Sequence, residues 1–219
     1  MTRKLYSARR GAAMGQARNM VVFVHGYGAD GADLLGLADP LAPHLPGTVF
    51  YSPDAPEPCN GAPMGRQWFP IPWIDGSTEE AARQGLLAAS GDLNSFLDEK
   101  LAEEGLTPDR LVLVGFSQGA MMSLHVAPRR ALPVAGVVSI SGRLLSPELL
   151  YEAVVKPPII LIHGDQDPVV PFADMGLAGD ALVAAGFETY GHVMKGTGHG
   201  IAPDGLSTTL AFLADRLPK

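Results

Sequence analysis

Ser117 lies in Gly115-Phe116-Ser117-Gln118-Gly119, a spacing that can lift a serine hydroxyl out of the backbone as a nucleophile. The apolar run Leu111–Val114 precedes this segment, and a helix-compatible stretch, Ala120–Ala127, follows it. Small residues permit a tight strand-to-helix turn, and the start of the helix directs free N–H groups toward negative charge. Such a pentapeptide also occurs by chance, so the flanking strand and helix support the prediction that Ser117 is a nucleophile.

A serine hydroxyl is a weak nucleophile at neutral pH, so Ser117 needs a general base, and the base needs an acid that orients it. On folds that carry such a turn, the acid and then the histidine follow the serine, each after a later strand. Asp167 follows the apolar run Ile159–Ile162, and His199 stands between two glycines after a strand that we expect to end at Val193. We predict a catalytic triad of these three residues.

Two aspartates compete for the role of the acid, because Asp165 and Asp167 lie on the same loop and either can stabilise a turn. We favour Asp167, which stands further out on the loop and is followed by Pro168. The remaining histidines are assigned structural places, at the surface (His44 and His192), on the helix after the serine (His125) and at a strand end (His163).

The oxyanion that forms on attack needs two preorganised N–H donors. The backbone N–H of Gln118, the residue after the nucleophile, is predicted to be one of them. The segment His25-Gly26-Tyr27-Gly28 follows an early apolar run, and we assign the backbone N–H of Tyr27 as the second donor. An ordinary glycine turn is the alternative for this segment.

Short runs rich in valine and isoleucine alternate with helix-compatible segments, which is typical of a mostly parallel sheet with helices on both faces. The predicted strands are Met20–His25, Thr48–Ser52, Arg110–Val114, Val134–Ile140, Pro158–His163 and Glu188–Val193. The predicted helices are Gly31–Ala42, Thr78–Glu104, Gly119–Ala127, Pro147–Val154, Asp174–Ala185 and Gly205–Leu217. The carboxyl ends of such strands meet at one edge of the sheet, where these folds bind ligands.

The chain has 219 residues with 47% hydrophobic content, enough for one well-buried domain over residues 1–219. Residues 1–19, which carry five basic side chains, are expected to form a solvated N-terminal edge segment. The net charge of −7 argues against a nucleic-acid partner. Because no apolar run suggests a membrane span or a signal peptide, we expect a cytoplasmic protein without stable membrane insertion. Cys59 is the single cysteine, which excludes an internal disulfide, and we interpret it as a loop thiol.

Residues 53–76 are unusual in composition, since six prolines and four large apolar side chains lie between Pro53 and Trp73. Proline excludes regular helix and central strand, so we predict a long ordered loop at the rim of the active site. Its aromatic residues Trp68, Phe69 and Trp73 are predicted to form an apolar wall for the acyl group. Packing of the same side chains onto the body of the protein is the alternative.

Several of these segments together resemble the carboxylesterase/phospholipase family that includes acyl-protein thioesterases. The resemblance runs from about Met20 to the C-terminus, and Phe116-Ser117-Gln118-Gly119-Ala120 is especially typical of it. The other matching segments are His25-Gly26-Tyr27-Gly28, Pro53-Asp54-Ala55-Pro56, Arg66-Gln67-Trp68-Phe69, His163-Gly164 with Asp167 and Val170-Pro171, and Gly198-His199.

The resemblance implies a single-domain α/β-hydrolase fold without a separate cap domain, acting on carboxylic esters, lysophospholipids or S-acyl proteins. The sequence agrees, because the roughly 18 residues between the predicted strands that end at Ile140 and begin at Pro158 hold only one helix and its turns. The loop Cys59–Trp73 differs from that of the acyl-protein thioesterases, which argues against protein deacylation.

The predicted function is therefore that of a serine carboxylesterase that hydrolyses small-molecule esters of short to medium acyl chains through an acyl-enzyme. A lysophospholipase or an acyl-protein thioesterase with the same triad is the alternative, and a non-catalytic hydrolase-fold receptor is a remote one. The mechanism requires no metal and no organic cofactor. A homodimer is left open.

Overall fold

The computed structural model describes residues 2–59 and 62–218, without the side chain of Pro63. Residues 1 and 219 of the predicted domain, and residues 60 and 61 of the predicted rim loop, lie outside the described residues. The described strands are β1 (Ser7–Gly11), β2 (Asn19–Val24), β3 (Thr48–Pro53), β4 (Glu57–Cys59), β5 (Ala62–Gln67), β6 (Leu111–Phe116), β7 (Gly136–Ile140), β8 (Ile159–Gly164) and β9 (Thr189–Met194). The α-helices are α1 (Gly31–Leu35), α2 (Ala38–Leu41), α3 (Pro72–Asp75), α4 (Glu79–Glu104), α5 (Gln118–Val126), α6 (Ala173–Ala184) and α7 (Pro203–Arg216).

Seven strands form one sheet in the order β1-β3-β2-β6-β7-β8-β9, and every pair is parallel except β1 with β3. The predicted α/β architecture with a mostly parallel sheet is therefore confirmed. All six predicted strands are present in it. The sequence analysis missed β1, which pairs antiparallel with β3 at the edge of the sheet, inside the segment predicted to be only a solvated edge.

Helices cover both faces of the sheet, and alternate residues of β2 enter different cores. Met20, Val22 and Val24 pack with α4, α5 and α6 on one face, while Val21 and Phe23 pack with α1, α2 and α7 on the other. Strands β2, β3 and β8 are buried along their whole length, as expected for parallel strands covered on both sides. Packing on both faces keeps the sheet in place, and the carboxyl ends of its parallel strands meet at one edge.

Two predicted helices are corrected by the structure. The predicted helix Gly31–Ala42 is divided into α1 and α2, because Pro40 lacks an N–H and fits only in a first helical turn, which α2 provides. The predicted helix Pro147–Val154 is a 3₁₀ helix over Pro147–Glu152. It is the single helical element between β7 and β8 among the described residues, so no cap domain is inserted there.

The predicted loop 53–76 is also more regular than expected. Its prolines do exclude a central strand, but β4 and β5 form a separate antiparallel hairpin, and α3 follows it. The hairpin is joined to the loop after β2 through an isolated bridge between Ala29 and Arg66. Among residues 2–59 and 62–218, no helix is long and apolar enough to cross a membrane.

Candidate active site

Ser117 stands on a strained turn between β6 and α5, where the sequence places the nucleophile. Its backbone has φ 53° and ψ −118°, a conformation that a residue with a Cβ rarely adopts. The Ser117 N–H donates to the carbonyl oxygen of Ile140 at the end of the neighbouring strand, at 2.9 Å. Packing on both sides of the sheet maintains this turn, so the hydroxyl is presented at the carboxyl edge.

Two glycines allow the turn to form, for a steric reason that the structure makes explicit. A Cβ at Gly119 would lie 1.8 Å from the carbonyl oxygen of Val24, and a Cβ at Gly115 would lie 2.4 Å from the carbonyl oxygen of Gly119. Neither position has room for a side chain. The G-x-S-x-G spacing is thus a requirement of close packing between β2, β6 and α5.

Asp167 and His199 come together as the sequence predicts for acid and base. The Nδ1–H of His199 donates to Asp167 Oδ2 at 2.7 Å, which leaves Nε2 as the basic nitrogen. The His199 ring packs on Phe116, the neighbour of Ser117, with 5.0 Å between ring centroids. No hydrogen bond joins Ser117 to His199 among the described residues, and such bonds often tighten only when substrate binds.

The Asp167 carboxylate is fully buried and is held by three donors. Its Oδ1 accepts from the backbone N–H groups of Val169 at 2.8 Å and Val170 at 2.9 Å, while Oδ2 accepts from His199. Burial opposes ionisation, but these hydrogen bonds outweigh it and hold the pKa of the Asp167 carboxyl below its usual value. The competing Asp165 instead accepts from the backbone N–H of Gly196, at 2.7 Å, and so braces the loop.

The two predicted oxyanion donors belong to segments that adjoin Ser117. Gly26 is packed so closely on the elbow that a Cβ there would lie 3.3 Å from the Ser117 Cβ. The Gly28 N–H is already engaged, since it donates to Arg66 O at 2.9 Å. By contrast, the backbone N–H groups of Tyr27 and Gln118 meet no acceptor among the described residues. An oxyanion hole requires such free donors near the nucleophile, so the assignment of these two groups stays a prediction.

Comparison with known proteins places this site in a family. A family model described as Phospholipase/Carboxylesterase matches residues 11–217. The chain belongs to the phospholipase/carboxylesterase family. It is similar to acyl-protein thioesterase 1 of Saccharomyces cerevisiae, with 29% identity over 95% of this chain and 97% of that protein. It is also similar to esterase YpfH of Escherichia coli, with 28% identity over 93% of this chain and 85% of that protein.

Solved structures agree with the family assignment. The crystal structure of esterase PE8 superposes with a TM-score of 0.92 and 40% identity, covering 98% of this chain and 100% of that one. Acyl-protein thioesterase 2 of Zea mays, at 24% identity, shares the fold with a TM-score of 0.78 over 97% of this chain and 99% of that one. Family and relatives together identify the protein as a hydrolase of the α/β-hydrolase fold.

Three buried side chains, His25, Gln118 and His163, brace the site through contacts that the sequence did not predict individually. His25 accepts a hydrogen bond on Nε2 from Ala55 N–H at 3.0 Å, so its proton is on Nδ1, which faces the carbonyl oxygen of Gly26 at 2.8 Å. Burial lowers the pKa of His25 and keeps it neutral. The Gln118 side chain accepts from Trp68 N–H at 2.9 Å and donates to Phe69 O at 2.7 Å. These contacts fix His25 to the segment after β3, and Gln118 to the segment after β5.

His163 is the third of these residues, and its position at a strand end is as predicted. Its Nε2–H donates to the carbonyl oxygen of Val170 at 3.0 Å. The same nitrogen lies 3.3 Å from Asp167 Oδ2, a contact that the sequence analysis did not foresee. The spacing of four residues between His163 and Asp167 was the available signal, because the turn after β8 folds back on itself.

Trp68 does not line a substrate site, and that prediction is wrong. Its side chain is 0% exposed, and the indole N–H donates to the carbonyl oxygen of His25 at 3.0 Å. The alternative reading, packing onto the body, is right for Trp68. Phe69 is also buried but borders a cavity of about 260 Å³. Trp73, which is 53% exposed, is the aromatic residue that remains at the rim.

Cys59 is not the loop thiol expected from the sequence, since it ends strand β4 and is buried. Its side chain is hydrogen-bonded to the phenol of Tyr27, which in turn donates to Asp75 Oδ2 at 3.4 Å. Burial, together with these two neighbours, raises the pKa of Tyr27. In the described part of the chain, no group of three His, Cys, Asp or Glu side chains is placed to hold a metal ion.

Proposed function

We propose that this hydrolase is a serine carboxylesterase that cleaves carboxylic esters of short to medium acyl chains through an acyl-enzyme. The observation that carries the proposal is the hydrogen bond between His199 Nδ1 and the buried Asp167 carboxylate, beside a serine on a strained elbow. Each partner has one chemical role in such an arrangement. Ser117 is the nucleophile, His199 the general base and acid, and Asp167 the group that orients the imidazole.

In the first half-reaction, Ser117 Oγ attacks the carbonyl carbon of the ester while His199 Nε2 takes the hydroxyl proton. The oxyanion is stabilised by the backbone N–H groups of Tyr27 and Gln118. The bond to the alcohol oxygen then breaks as His199 gives that oxygen the proton. The acyl group remains bound to Ser117 Oγ as the acyl-enzyme. In the second half-reaction, His199 Nε2 takes a proton from water, whose oxygen attacks the acyl carbonyl carbon. The bond between Ser117 Oγ and the acyl group then breaks, His199 returns the proton to Ser117 Oγ, and the carboxylic acid is released.

The expected length of the acyl group rests on a small cavity beside the elbow. Met121, one helical turn after Ser117, and Val169–Pro171, just after Asp167, line a space of about 190 Å³ together with Trp73 and Arg143. Pockets for drug-sized ligands usually measure about 300–1,000 Å³. A cavity below that range supports a short acyl group.

A thioester substrate is the second candidate, because a similar yeast protein is an acyl-protein thioesterase. The same triad can cleave either bond. Oxygen esters and thioesters with identical acyl chains separate the two candidates through their ratio of kcat/KM. Lysophospholipid hydrolysis is tested in the same panel with a lysophosphatidylcholine.

The nucleophile is tested with p-nitrophenyl esters and a Ser117→Ala variant. We expect turnover by the wild type and a loss of about 10⁶-fold in kcat in the variant. Ser123→Ala is a matched control, because this buried serine on the same helix donates only to the Gly119 carbonyl. Unchanged turnover in Ser117→Ala would contradict the assignment of Ser117 as the nucleophile.

A further inference from the structure

The rim of the site contains two cavities that share one wall. The first is the space of about 190 Å³ beside Met121 and Val170. The second, of about 260 Å³, lies between Phe69, the first turns of α4 and Leu145. Trp73 is the one described residue that borders both. Trp73 therefore stands at the boundary between the two spaces.

The Trp73 indole is held by an ion pair between Arg143, which follows β7, and Asp174 on α6. The guanidinium of Arg143 stands over the Trp73 ring, 5.2 Å from its centroid, in the geometry of a cation–π contact. Arg143 is fixed in turn by Asp174 in the first turn of α6, whose Oδ2 accepts from Nε at 2.8 Å and from Nη2 at 2.7 Å. The Asp174 side chain is only 13% exposed, so the pair is anchored in the body of the protein.

The backbone beneath Trp73 is also anchored. Trp73 lies on α3, a single turn, and Asp75 at its end accepts from the backbone N–H groups of Ile71 and Ser77, both at 2.9 Å. Half of the Trp73 side chain nevertheless remains open to solvent. Trp73 is thus fixed through its backbone by Asp75 and through one face of its ring by Arg143, without being part of the core.

We propose that Trp73, clamped by Arg143 and Asp174, is a partition that confines the acyl chain to the inner cavity and so sets its maximal length. The inference rests on the proposed function, because it takes the cavity beside Met121 as the acyl site. Removing the indole joins two spaces whose combined volume reaches the range of ordinary ligand pockets. The outer cavity is lined by Phe69, Leu86 and Leu145 as well as by Glu79, Arg83 and Ser146, and the apolar part of this lining suits the distal methylenes of a longer acyl chain.

The test compares p-nitrophenyl acetate, butyrate, octanoate and laurate on the wild type and on Trp73→Ala. We expect the wild type to prefer the acetate or butyrate, and the variant to raise the octanoate-to-butyrate ratio of kcat/KM by about 10-fold or more, since each accommodated methylene contributes strongly in an apolar pocket. Trp73→Phe, which keeps a ring in place, should change the ratio less. Ile74→Ala is the matched control, because Ile74 is 49% exposed and borders neither cavity.

Asp174→Asn provides an independent variant that leaves the indole in place. It weakens the hold on Arg143, and we expect the same ratio to rise by about 2- to 5-fold, the scale of an exposed cation–π contact. An octanoate-to-butyrate ratio that stays within twofold in both Trp73→Ala and Asp174→Asn overturns the partition. So does a wild type that already prefers laurate.

The outcome also separates this inference from the proposed function. A wild type that cleaves butyrate and loses this activity in Ser117→Ala, while Trp73→Ala leaves the chain-length profile unchanged, refutes only the partition. A wild type that cleaves no ester and does not react with alkyl fluorophosphonates refutes both.

Discussion

The two tryptophans of the chain, five positions apart, mark two regions that are organised differently. Trp68 is 0% exposed and uses its backbone N–H and its indole N–H to bind Gln118 and His25. Trp73 is 53% exposed and borders two cavities, and its ring contacts a single guanidinium, that of Arg143. In the proposed mechanism, the first region would position the reacting groups and the second would shape the space that an acyl group occupies.

The two regions differ in the number of contacts that hold each side chain in place. At the elbow, backbone carbonyls leave no room for a Cβ, and buried donors meet buried acceptors, so a small change has to disturb several groups at once. At the rim, one ring and one ion pair define a wall. Substitutions at the elbow should therefore affect catalysis or folding, whereas substitutions at the rim should affect substrate length.

After the nucleophile itself, the largest effect is expected from one of the two aspartates of the loop after β8. Asp167→Asn keeps the shape of the acid but no longer favours the productive tautomer of His199, and we expect kcat to fall by about 10⁴-fold. Asp165→Asn is the matched control, since Asp165 binds only the backbone N–H of Gly196 among the described residues. Ester hydrolysis measured on both variants decides between them. A larger loss in Asp165→Asn would exchange their roles.

A second contrast concerns two glycines that differ in their surroundings. Gly119→Ala places a Cβ against the Val24 carbonyl, and we expect a loss of about 4 kcal/mol or more in the free energy of unfolding. Gly176 on α6 has no atom within 4 Å of an added Cβ, so Gly176→Ala should stabilise the protein by about 0.5–1 kcal/mol. Urea unfolding measures both changes. Equal effects in the two variants contradict the packing argument.

Acid should weaken the elbow helix through His125, a buried residue of α5. Burial, with a contribution from Arg129, lowers the pKa of His125 to about 4. Since the unfolded chain takes up this proton near pH 6.5, the stability that His125 contributes is complete above that pH and falls by about 3 kcal/mol as pH drops to 4. His125→Gln should flatten this part of the pH–stability curve. An identical curve in the variant contradicts the assignment.

The smallest of the expected changes compares the tryptophans themselves. Trp68→Phe removes the indole N–H and leaves the buried carbonyl of His25 without its donor, so we expect a loss of about 2 kcal/mol in the free energy of unfolding. Trp73→Phe should change it by less than about 0.5 kcal/mol. Thermal or urea unfolding distinguishes them. A larger loss at Trp73 would reverse the comparison.

The sequence predicts that the candidate triad residues meet at one edge of the sheet, because each of them comes after a strand. Ser117, Asp167 and His199 follow β6, β8 and β9, and strand direction alone brings such positions to one edge. Local patterns also indicated both glycines of the elbow. The choice between Asp165 and Asp167 depended on which carboxylate turns toward His199, which the three-dimensional loop determines.

The rim was predicted poorly for a related reason. Trp68 and Trp73 lie in the same proline-rich segment, and no local pattern shows that one points into the core and the other along the surface. The hairpin β4–β5 was hidden by prolines that are tolerated because its strands lie outside the main sheet. The contact between His163 and Asp167 depends on a turn that folds back, and the spacing of four residues does not by itself predict that turn.

The central claim, that Ser117 is an activated nucleophile, is tested most directly by covalent labelling. Wild type, Ser117→Ala and Asp167→Asn are incubated with an alkyl fluorophosphonate, and the adduct is located by mass spectrometry of the digested protein. We predict one adduct on Ser117 in the wild type, slower labelling in Asp167→Asn and none in Ser117→Ala. An unmodified wild type, or an adduct that persists in Ser117→Ala, would contradict the claim.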